Sequence, residues 1–171
     1  MPSLTLSQAN KIVEAALAKA RQMKIKPLAV AVLDSSGHLK SLQREDEASM
    51  FRVDVAMGKA WAAVGMGASS RTLLARAKEN PQFYGALAAT AQGKFLPQTG
   101  AVLIKDAAGN ILGAAGASGG TGDEDEAVAR LTAAVAEGGA DALPPSARAG
   151  DLRLRLLDRV SRSAGASQIG R

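Results

Sequence analysis

The chain has 171 residues, no Cys and one His, with a formal net charge of +5 at pH 7. These numbers fit one domain, and they exclude a disulfide framework, a thiolate nucleophile and a zinc site built from several His of one chain. No apolar run approaches the roughly 20 residues that span a bilayer, and the first residues lack a secretory signal, so we expect a cytoplasmic protein without a membrane partner.

The positive charge is concentrated towards the C-terminal end. Residues 144–171 contain six Arg and two Asp, which leaves residues 1–143 nearly neutral. A basic tail can contact phosphates, but aromatic residues make up only 3% of the chain and offer little for base stacking. The composition therefore does not favour nucleic-acid binding. We predict a domain over residues 1–143 and a basic tail over residues 144–171, which begins at Pro144-Pro145.

The first predicted element is a helix. Thr5 and Gln8 have the spacing of a capping box. The apolar positions that follow recur at helical spacing, and Pro27 ends the pattern. We therefore predict a helix over residues 6–24.

Two hairpins share one pattern, in which a short apolar strand leads into a D-x-x-G turn and a second strand returns; residues 38–44 of the first hairpin alternate between apolar and polar. The Asp side chain accepts hydrogen bonds that open the turn, and the Gly supplies the positive φ. Two such hairpins separated by helices predict an antiparallel sheet with helices packed on it, an α+β fold. The predicted strands are residues 28–33, 38–44, 102–105 and 110–115, around the turns Asp34–Gly37 and Asp106–Gly109.

The other segments are predicted to be helical. Between the hairpins, Ser49 caps one helix, Ser69 or Ser70 caps a second, and Pro81 occupies the first position of a third. A capping box formed by Thr121 and Glu124 begins the last helix, which Gly138-Gly139 closes.

A glycine-rich segment, Gly113–Gly122, runs from a strand into the start of the last helix. Glycines let a ligand approach the backbone, and free N–H groups at a helix N-terminus attract anions. A carboxylate or propionate would suit such a loop. The acidic run Asp123–Glu126 already complements the helix dipole and would repel an anion, so a tight structural turn is the alternative. The candidate ligand-binding residues here are Ser118, Gly119, Gly120, Thr121 and Asp125.

Three charged residues and the single imidazole are further candidates. Arg44, next to Asp46, and Lys59 together can orient a carboxylate, and the alternative is an ordinary surface ion pair. His38 is a candidate axial metal ligand or acid–base group, and the alternative is a solvated His after a tight turn. With one His per chain, a metal bound there would need a second subunit, another ligand type or solvent.

These residues resemble the GlcG/HbpS-type haem-binding family, to which the C-terminal domain of some propanediol-utilisation corrinoid adenosyltransferases belongs. The resemblance covers about residues 3–140 and rests on Ala29–Arg44 with Asp46, Gly58–Ala60, the stretch from Pro81 to Gly85 and, above all, Gly109–Glu126. It implies a profilin-like α+β fold with an antiparallel sheet flanked by helices. It also implies homo-oligomers with ligand pockets near subunit interfaces, and haem binding in several members.

The resemblance also assigns positions. The family's G-H-L element falls on Gly37-His38-Leu39, its basic-x-acidic element on Arg44 and Asp46, its helical K-A on Lys59-Ala60, and its S-G-G-T on Ser118–Thr121. The sequence departs from the family where G-G-x-P-I usually precedes the second hairpin, because this chain has Gly100–Ile104 without the Pro.

Three functions follow from these observations. The favoured one is a haem-binding or haem-handling protein with an interfacial pocket, in which haem is the only cofactor expected and His38 contacts it. The second is a cofactor-free lyase or isomerase acting on a small carboxylic acid, such as an aromatic one, in a catabolic pathway; its catalytic candidates are Asp46, Lys59 and Glu126. The third is an assembly role, in which the Arg-rich tail docks onto an acidic partner.

Overall fold

The computed structural model of the protein describes residues 3–138, and the predicted tail lies outside them. The elements in chain order are α1 (Leu6–Gln22), β1 (Ala29–Asp34), β2 (Leu39–Arg44), α2 (Phe51–Met66), α3 (Ser70–Glu79), α4 (Pro81–Thr90), β3 (Ala101–Lys105), β4 (Ile111–Ser118) and α5 (Gly122–Gly138). None of these helices has the length and hydropathy that a bilayer crossing requires.

The strands form one antiparallel sheet in the order β2-β1-β4-β3. The two predicted hairpins lie side by side, because β1 pairs with β4 from Ala29 opposite Ser118 to Asp34 opposite Gly113. α1 and α5 pack on one face of this sheet, and α2 packs on the other with α3 beside it. The predicted α+β fold, an antiparallel sheet flanked by helices, is therefore confirmed.

Alternate residues of the central strands face opposite helix layers, as strand geometry requires. On β1, Val30 and Val32 belong to the core under α1 and α5, whereas Ala29 and Ala31 pack with Ala56 of α2. Both faces of the strand are covered, which explains why β1 is apolar along its length rather than alternating.

Most of the predicted helix starts are confirmed. The Thr5–Gln8 capping box is present, and the side chains of Ser69 and Asn80 cap α3 and α4. The prediction for Ser49 is wrong. α2 begins after Met50, whose backbone is already helical and whose side chain makes no cap, and Ser49 contributes its carbonyl oxygen to a turn instead.

β4 is longer than predicted: it continues past Ala115 to Ser118 and includes six of the ten residues of the glycine-rich segment. The glycines there serve close packing rather than a loop. A Cβ on Gly116 would overlap the backbone carbonyl oxygen of Ala56 in α2, and one on Gly113 would overlap that of Leu33 in β1. The small residues of β4 thus let α2 and the neighbouring strand approach its backbone.

The two hairpin turns are held by Asp side chains, as predicted. Oδ1 of Asp106 accepts the backbone N–H groups of Ala108 and Asn110 at 3.0 and 2.8 Å, and Oδ2 accepts the side-chain amide of Asn110 at 2.8 Å. In the first hairpin, Oδ1 of Asp34 accepts the backbone N–H of His38 at 3.0 Å. The same chemistry therefore closes both turns.

These hydrogen bonds lower the pKa of Asp106, chiefly through the side-chain amide of Asn110 and then through its backbone N–H. Asn110→Ala removes the first cause and keeps the second, so we expect the pKa of Asp106 to rise towards its ordinary value of about 4. A carboxyl NMR titration of both proteins measures this shift, and an unchanged pKa would contradict the assignment.

The lowered pKa also predicts a pH dependence of stability. Since the folded pKa lies below the unfolded one, the stabilisation is fully present above about pH 4 and is lost as pH falls through the folded pKa. Asn110→Ala should therefore reduce the fall in the free energy of unfolding that wild type shows below about pH 4.

Candidate functional site

Seven of the ten predicted site residues lie in three separate hollows, and Gly119, Thr121 and Glu126 line none of the three. The edge hollow, beside the end of β2, contains Arg44 and Asp46. The turn hollow, beside the first hairpin turn, contains His38. The ion-pair hollow, where α2 meets the start of α5, contains the predicted residues Lys59, Ser118, Gly120 and Asp125 and also Arg52. Arg44 and Lys59 therefore do not share a hollow, although the sequence analysis expected them to hold one carboxylate together.

The edge hollow holds two exposed charged side chains. Nη1 of Arg44 donates to the carbonyl oxygen of Ala48 at 2.6 Å. Asp46 is exposed at the same rim and makes no ion pair with any described residue. Both side chains are exposed to water. A catalytic role for Asp46 stays a prediction.

The ion-pair hollow is built on a buried salt bridge between α2 and α5. Nζ of Lys59 lies 2.9 Å from Oδ2 of Asp125 and donates to the carbonyl oxygen of Ala117 at 3.1 Å. The two charged side chains are only 6% and 3% exposed. Gly100 covers the pair, because a Cβ there would lie 2.6 Å from Nζ of Lys59. The predicted Lys59 and Asp125 are thus brought together.

The glycine loop is closed by the same carboxylate. Oδ1 of Asp125 accepts the backbone N–H of Gly119 at 3.0 Å and that of Gly120 at 2.9 Å. The amides that the sequence offered to an external anion are therefore bonded to the chain's own acid. Gly119 is also closely packed, since a Cβ there would overlap Leu28. This geometry matches the tight structural turn that the sequence analysis gave as the alternative.

The start of α5 carries the predicted capping box. The backbone N–H of Thr121 donates to Oε2 of Glu124 at 2.7 Å, and the backbone N–H of Glu124 donates to the Thr121 hydroxyl at 3.3 Å. The backbone N–H of Thr121 is the largest cause that lowers the pKa of Glu124, and the interaction of the Thr121 side chain with the carboxylate is the next. Thr121 thus serves the helix start.

Glu126, a predicted catalytic residue, is buried between two arginines. Its Oε2 lies 2.7 Å from Nε of Arg71, and its Oε1 lies 2.8 Å from Nε of Arg130. The pKa of Arg71 is raised, chiefly by its hydrogen bond to Asp123 and then by its bond to Glu126. The ion pair of Glu126 with Arg71 joins α5 to α3. Glu126 does not line any of the three hollows, and its catalytic role stays a prediction.

The turn hollow lies between the first hairpin turn and α2 and has a volume of about 620 Å³. The His38 side chain is 80% exposed at its rim, and its Nδ1 lies 3.7 Å from Oδ1 of Asp34. The turn sits closely on Trp61, because a Cβ on Gly37 would lie 3.0 Å from the indole Nε1. The other side chains that line the hollow include Leu33, Leu39, Asp54, Met57 and Lys94.

A backbone segment separates the turn hollow from the ion-pair hollow. It crosses α2 at Gly58, where the backbone N–H of Leu96 donates to the Gly58 carbonyl oxygen at 3.2 Å. A Cβ on Gly58 would lie 3.1 Å from Cβ of Leu96. Lys94 lines the turn hollow and Leu96 the ion-pair hollow, so the crossing segment forms a wall of each.

Several residues that line these hollows were not predicted as site residues from the sequence. Arg52 lines the ion-pair hollow, and its seven-residue distance from Lys59, two helical turns, was the signal that places both on one side of α2. Met57 and Trp61 line the turn hollow but read as ordinary core positions in a helical pattern. Within residues 3–138, no group of three or more His, Asp or Glu side chains is placed to hold a metal ion.

These features define a small α+β domain with hollows of the size of small-molecule sites, two of which lie along α2. Residues 4–134 match the family model described as "Haem degrading protein HbpS-like". The chain belongs to this family, as the resemblance of its hairpins and glycine-rich segment indicated.

Three relatives illustrate the match. A doubly substituted HbpS from Streptomyces reticuli is 30% identical, with a TM-score of 0.69 over 79% of this chain and 88% of that one. The structure described as "PduOC:Heme Complex" is 26% identical, with a TM-score of 0.70 over 78% of this chain and 94% of that one. The corrinoid adenosyltransferase PduO of Citrobacter freundii is 26% identical over 133 residues, and the match spans 78% of this chain but only 39% of that enzyme.

Proposed function

We propose that the protein binds haem in the turn hollow and that His38 would hold its iron. The observation that carries the proposal is that His38, the one His of the chain, lines the same hollow as Met57 and Trp61. Membership of the HbpS-like family and similarity to a structure solved as a haem complex support haem as the ligand.

The side chains of the hollow fit the iron of a haem. Haem iron is held in proteins by His, Met, Cys or Tyr, and His38 and Met57 are the two such residues in this hollow. The carboxylate of Asp34 lies 3.7 Å from Nδ1 of His38. This distance is longer than a hydrogen bond, but a carboxylate on the Nδ1 side would leave Nε2 as the nitrogen that could hold the iron.

The other residues that line the turn hollow fit the porphyrin ring and the propionates of haem. Leu33, Leu39 and Trp61 offer apolar surface to a porphyrin, and Lys94 offers a cation to a propionate. The volume of about 620 Å³ lies within the range of small-molecule sites. When bound, haem would supply redox and gas-ligand chemistry at iron; the chain supplies the ligand, the apolar wall and the counter-charge.

The same proposal includes a cytoplasmic homo-oligomer with the hollow near a subunit contact. Leu39 is 50% exposed at the rim of the turn hollow, and the adjacent His38 side chain is 80% exposed. A haem seated there would have one side open to water, and a second copy of the chain would cover it.

Titration of the purified protein with haemin, followed through the Soret band, tests the site. We expect a saturable Soret shift in the wild type. Loss of a group that supports a metal ligand costs 10–100-fold in affinity, so His38→Ala, which removes the ligand itself, should weaken binding by at least about tenfold. Met57→Leu, which keeps the side-chain volume, should leave the affinity closer to wild type and change the Soret maximum.

Ser35→Ala is the matched control, because Ser35 is an exposed residue of the same turn and does not line the hollow. It should reproduce the wild-type titration. A wild type without a Soret shift, or a His38→Ala variant with unchanged affinity and spectrum, would remove haem from this hollow.

A further inference from the structure

We propose that the ion-pair hollow is a second ligand site, which takes a small monocarboxylate with an apolar body, and that Arg52 binds the carboxylate. This inference goes beyond haem binding. It concerns the hollow on the other side of the segment that crosses α2 at Gly58. The two hollows have no lining residue in common.

Arg52 is a half-buried cation with unused hydrogen-bonding capacity. It lies in the first turn of α2, and its Nη1 makes one long contact, 3.4 Å, with the hydroxyl of Ser118. No carboxylate among the described residues pairs with it. A guanidinium has five N–H donors in a fixed fork that matches a carboxylate, so most of the donors of Arg52 are available to a ligand.

The other charged groups of the hollow are already paired within the protein. Lys59 is neutralised by Asp125, and that carboxylate also accepts the amides of Gly119 and Gly120. The charged side chains that line the hollow are Arg52, Lys59 and Asp125. Their charges sum to +1, which complements a monoanion.

The uncharged residues that line the hollow indicate what the ligand carries besides its carboxylate. Val55, Leu74 and Leu96 give the hollow an apolar side, and the buried Ser118 and Thr99 place two hydroxyls near the polar side. The volume is about 530 Å³, enough for an aromatic or branched carboxylic acid. A carboxylate on Arg52 would therefore leave a hydrocarbon body against apolar side chains.

A phosphate is the other anion that Arg binds well. The apolar wall of Val55, Leu74 and Leu96 gives the remaining phosphate oxygens no hydrogen-bonding partner, whereas it packs against the hydrocarbon body of a carboxylic acid. The geometry therefore favours a carboxylate over a phosphate, and the two are compared directly in the test.

The test uses the full chain with benzoate as the probe. Benzamide is the neutral control of the same shape, and inorganic phosphate is the anionic control without an apolar body. Binding is followed by calorimetry and by the rise of Tm, since a ligand that prefers the folded state stabilises it. We expect saturable benzoate binding, and no saturable binding of benzamide or phosphate over the same concentration range.

Two Arg variants locate the site. Hydrogen bonds to charged groups contribute about 1.5–3 kcal/mol, so Arg52→Gln should weaken benzoate binding at least tenfold. Arg52→Lys keeps the charge, loses the planar fork and should give an intermediate affinity, which also covers the case of a poorly folded Gln variant. Arg76→Gln, on the exposed surface of α3, is the matched control and should bind as wild type does.

The outcomes separate this site from the haem site. His38→Ala should keep wild-type benzoate affinity whether or not it binds haemin. Equal benzoate affinity in Arg52→Gln, equal binding of benzamide, or phosphate binding in place of benzoate would each overturn the proposal. A wild type that binds none of the three probes would overturn it as well.

Discussion

Replacing Asp125 with alanine is expected to destabilise the fold by about 3–5 kcal/mol, because removal of one member of a buried ion pair leaves the other charge uncompensated. Lys59 would be left with only the carbonyl of Ala117 as a partner. The backbone N–H groups of Gly119 and Gly120 would lose their acceptor at the same time. One substitution therefore removes a buried counter-ion and opens the glycine loop.

Urea unfolding measures this loss, and Asp123→Ala is the matched control. Asp123 is two residues away in the same first turn, but its side chain is 83% exposed. Its ion pair with Arg71 lies at the surface, where such pairs contribute about 0–1 kcal/mol. If both variants lost the same stability, or if Asp125→Ala lost less than about 1 kcal/mol, the buried pair would not have the structural weight assigned to it.

Lys59→Met separates the two roles of Asp125. In that variant Asp125 keeps the two amide donors of the loop and loses only the ammonium group. A carboxylate that accepts backbone N–H groups is still supported in its charged form. We therefore expect Lys59→Met to be less destabilising than Asp125→Ala.

The second large effect is expected for Gly116→Ala. The added Cβ would overlap the carbonyl oxygen of Ala56 and lie 3.1 Å from Cβ of Ala60, so α2 would have to move away from the sheet. Overpacking of a buried site costs about 1–3 kcal/mol, and here the obstacle is backbone, which yields less than a side chain. We expect a loss at the upper end of that range in urea unfolding.

Gly85→Ala provides the control of opposite sign. Gly85 lies inside α4, and nothing stands within 4 Å of the position of an added Cβ. Ala is favoured over Gly in a helix by about 0.5–1 kcal/mol, so this variant should be more stable than wild type. A Gly116→Ala protein as stable as Gly85→Ala would show that the contact between α2 and β4 can relax.

The elements that depend on local chemistry were predictable from the sequence. Asp106 and Gly109 mark a turn because the bonds that close it span only a few residues. The capping boxes at Thr5 and Thr121 are local in the same sense. The sequence could not place the end of β4, because the role of Gly116 is set by Ala56, which is far away along the chain.

The site was less predictable than the fold. The glycine loop looked open to an anion because nothing in the sequence shows that Asp125 turns back onto the amides of Gly119 and Gly120. Arg44 looked like a partner of Lys59 because spacing along the chain does not show which side of the domain each occupies. The position of His38 at the end of the first hairpin turn, by contrast, was predictable, because the Asp34 side chain that closes this turn bonds to the backbone N–H of His38.

The close seating of α2 on Gly116 has a consequence for recognition. Met57 and Trp61 in one hollow and Arg52 in the other belong to a helix that the small residues of β4 hold at short distance, with little room to shift. On ligand binding, side chains on such a preorganised element lose less conformational entropy than side chains on a loop. Both hollows therefore share one rigid platform, and affinity in each depends on how firmly that helix rests on the sheet.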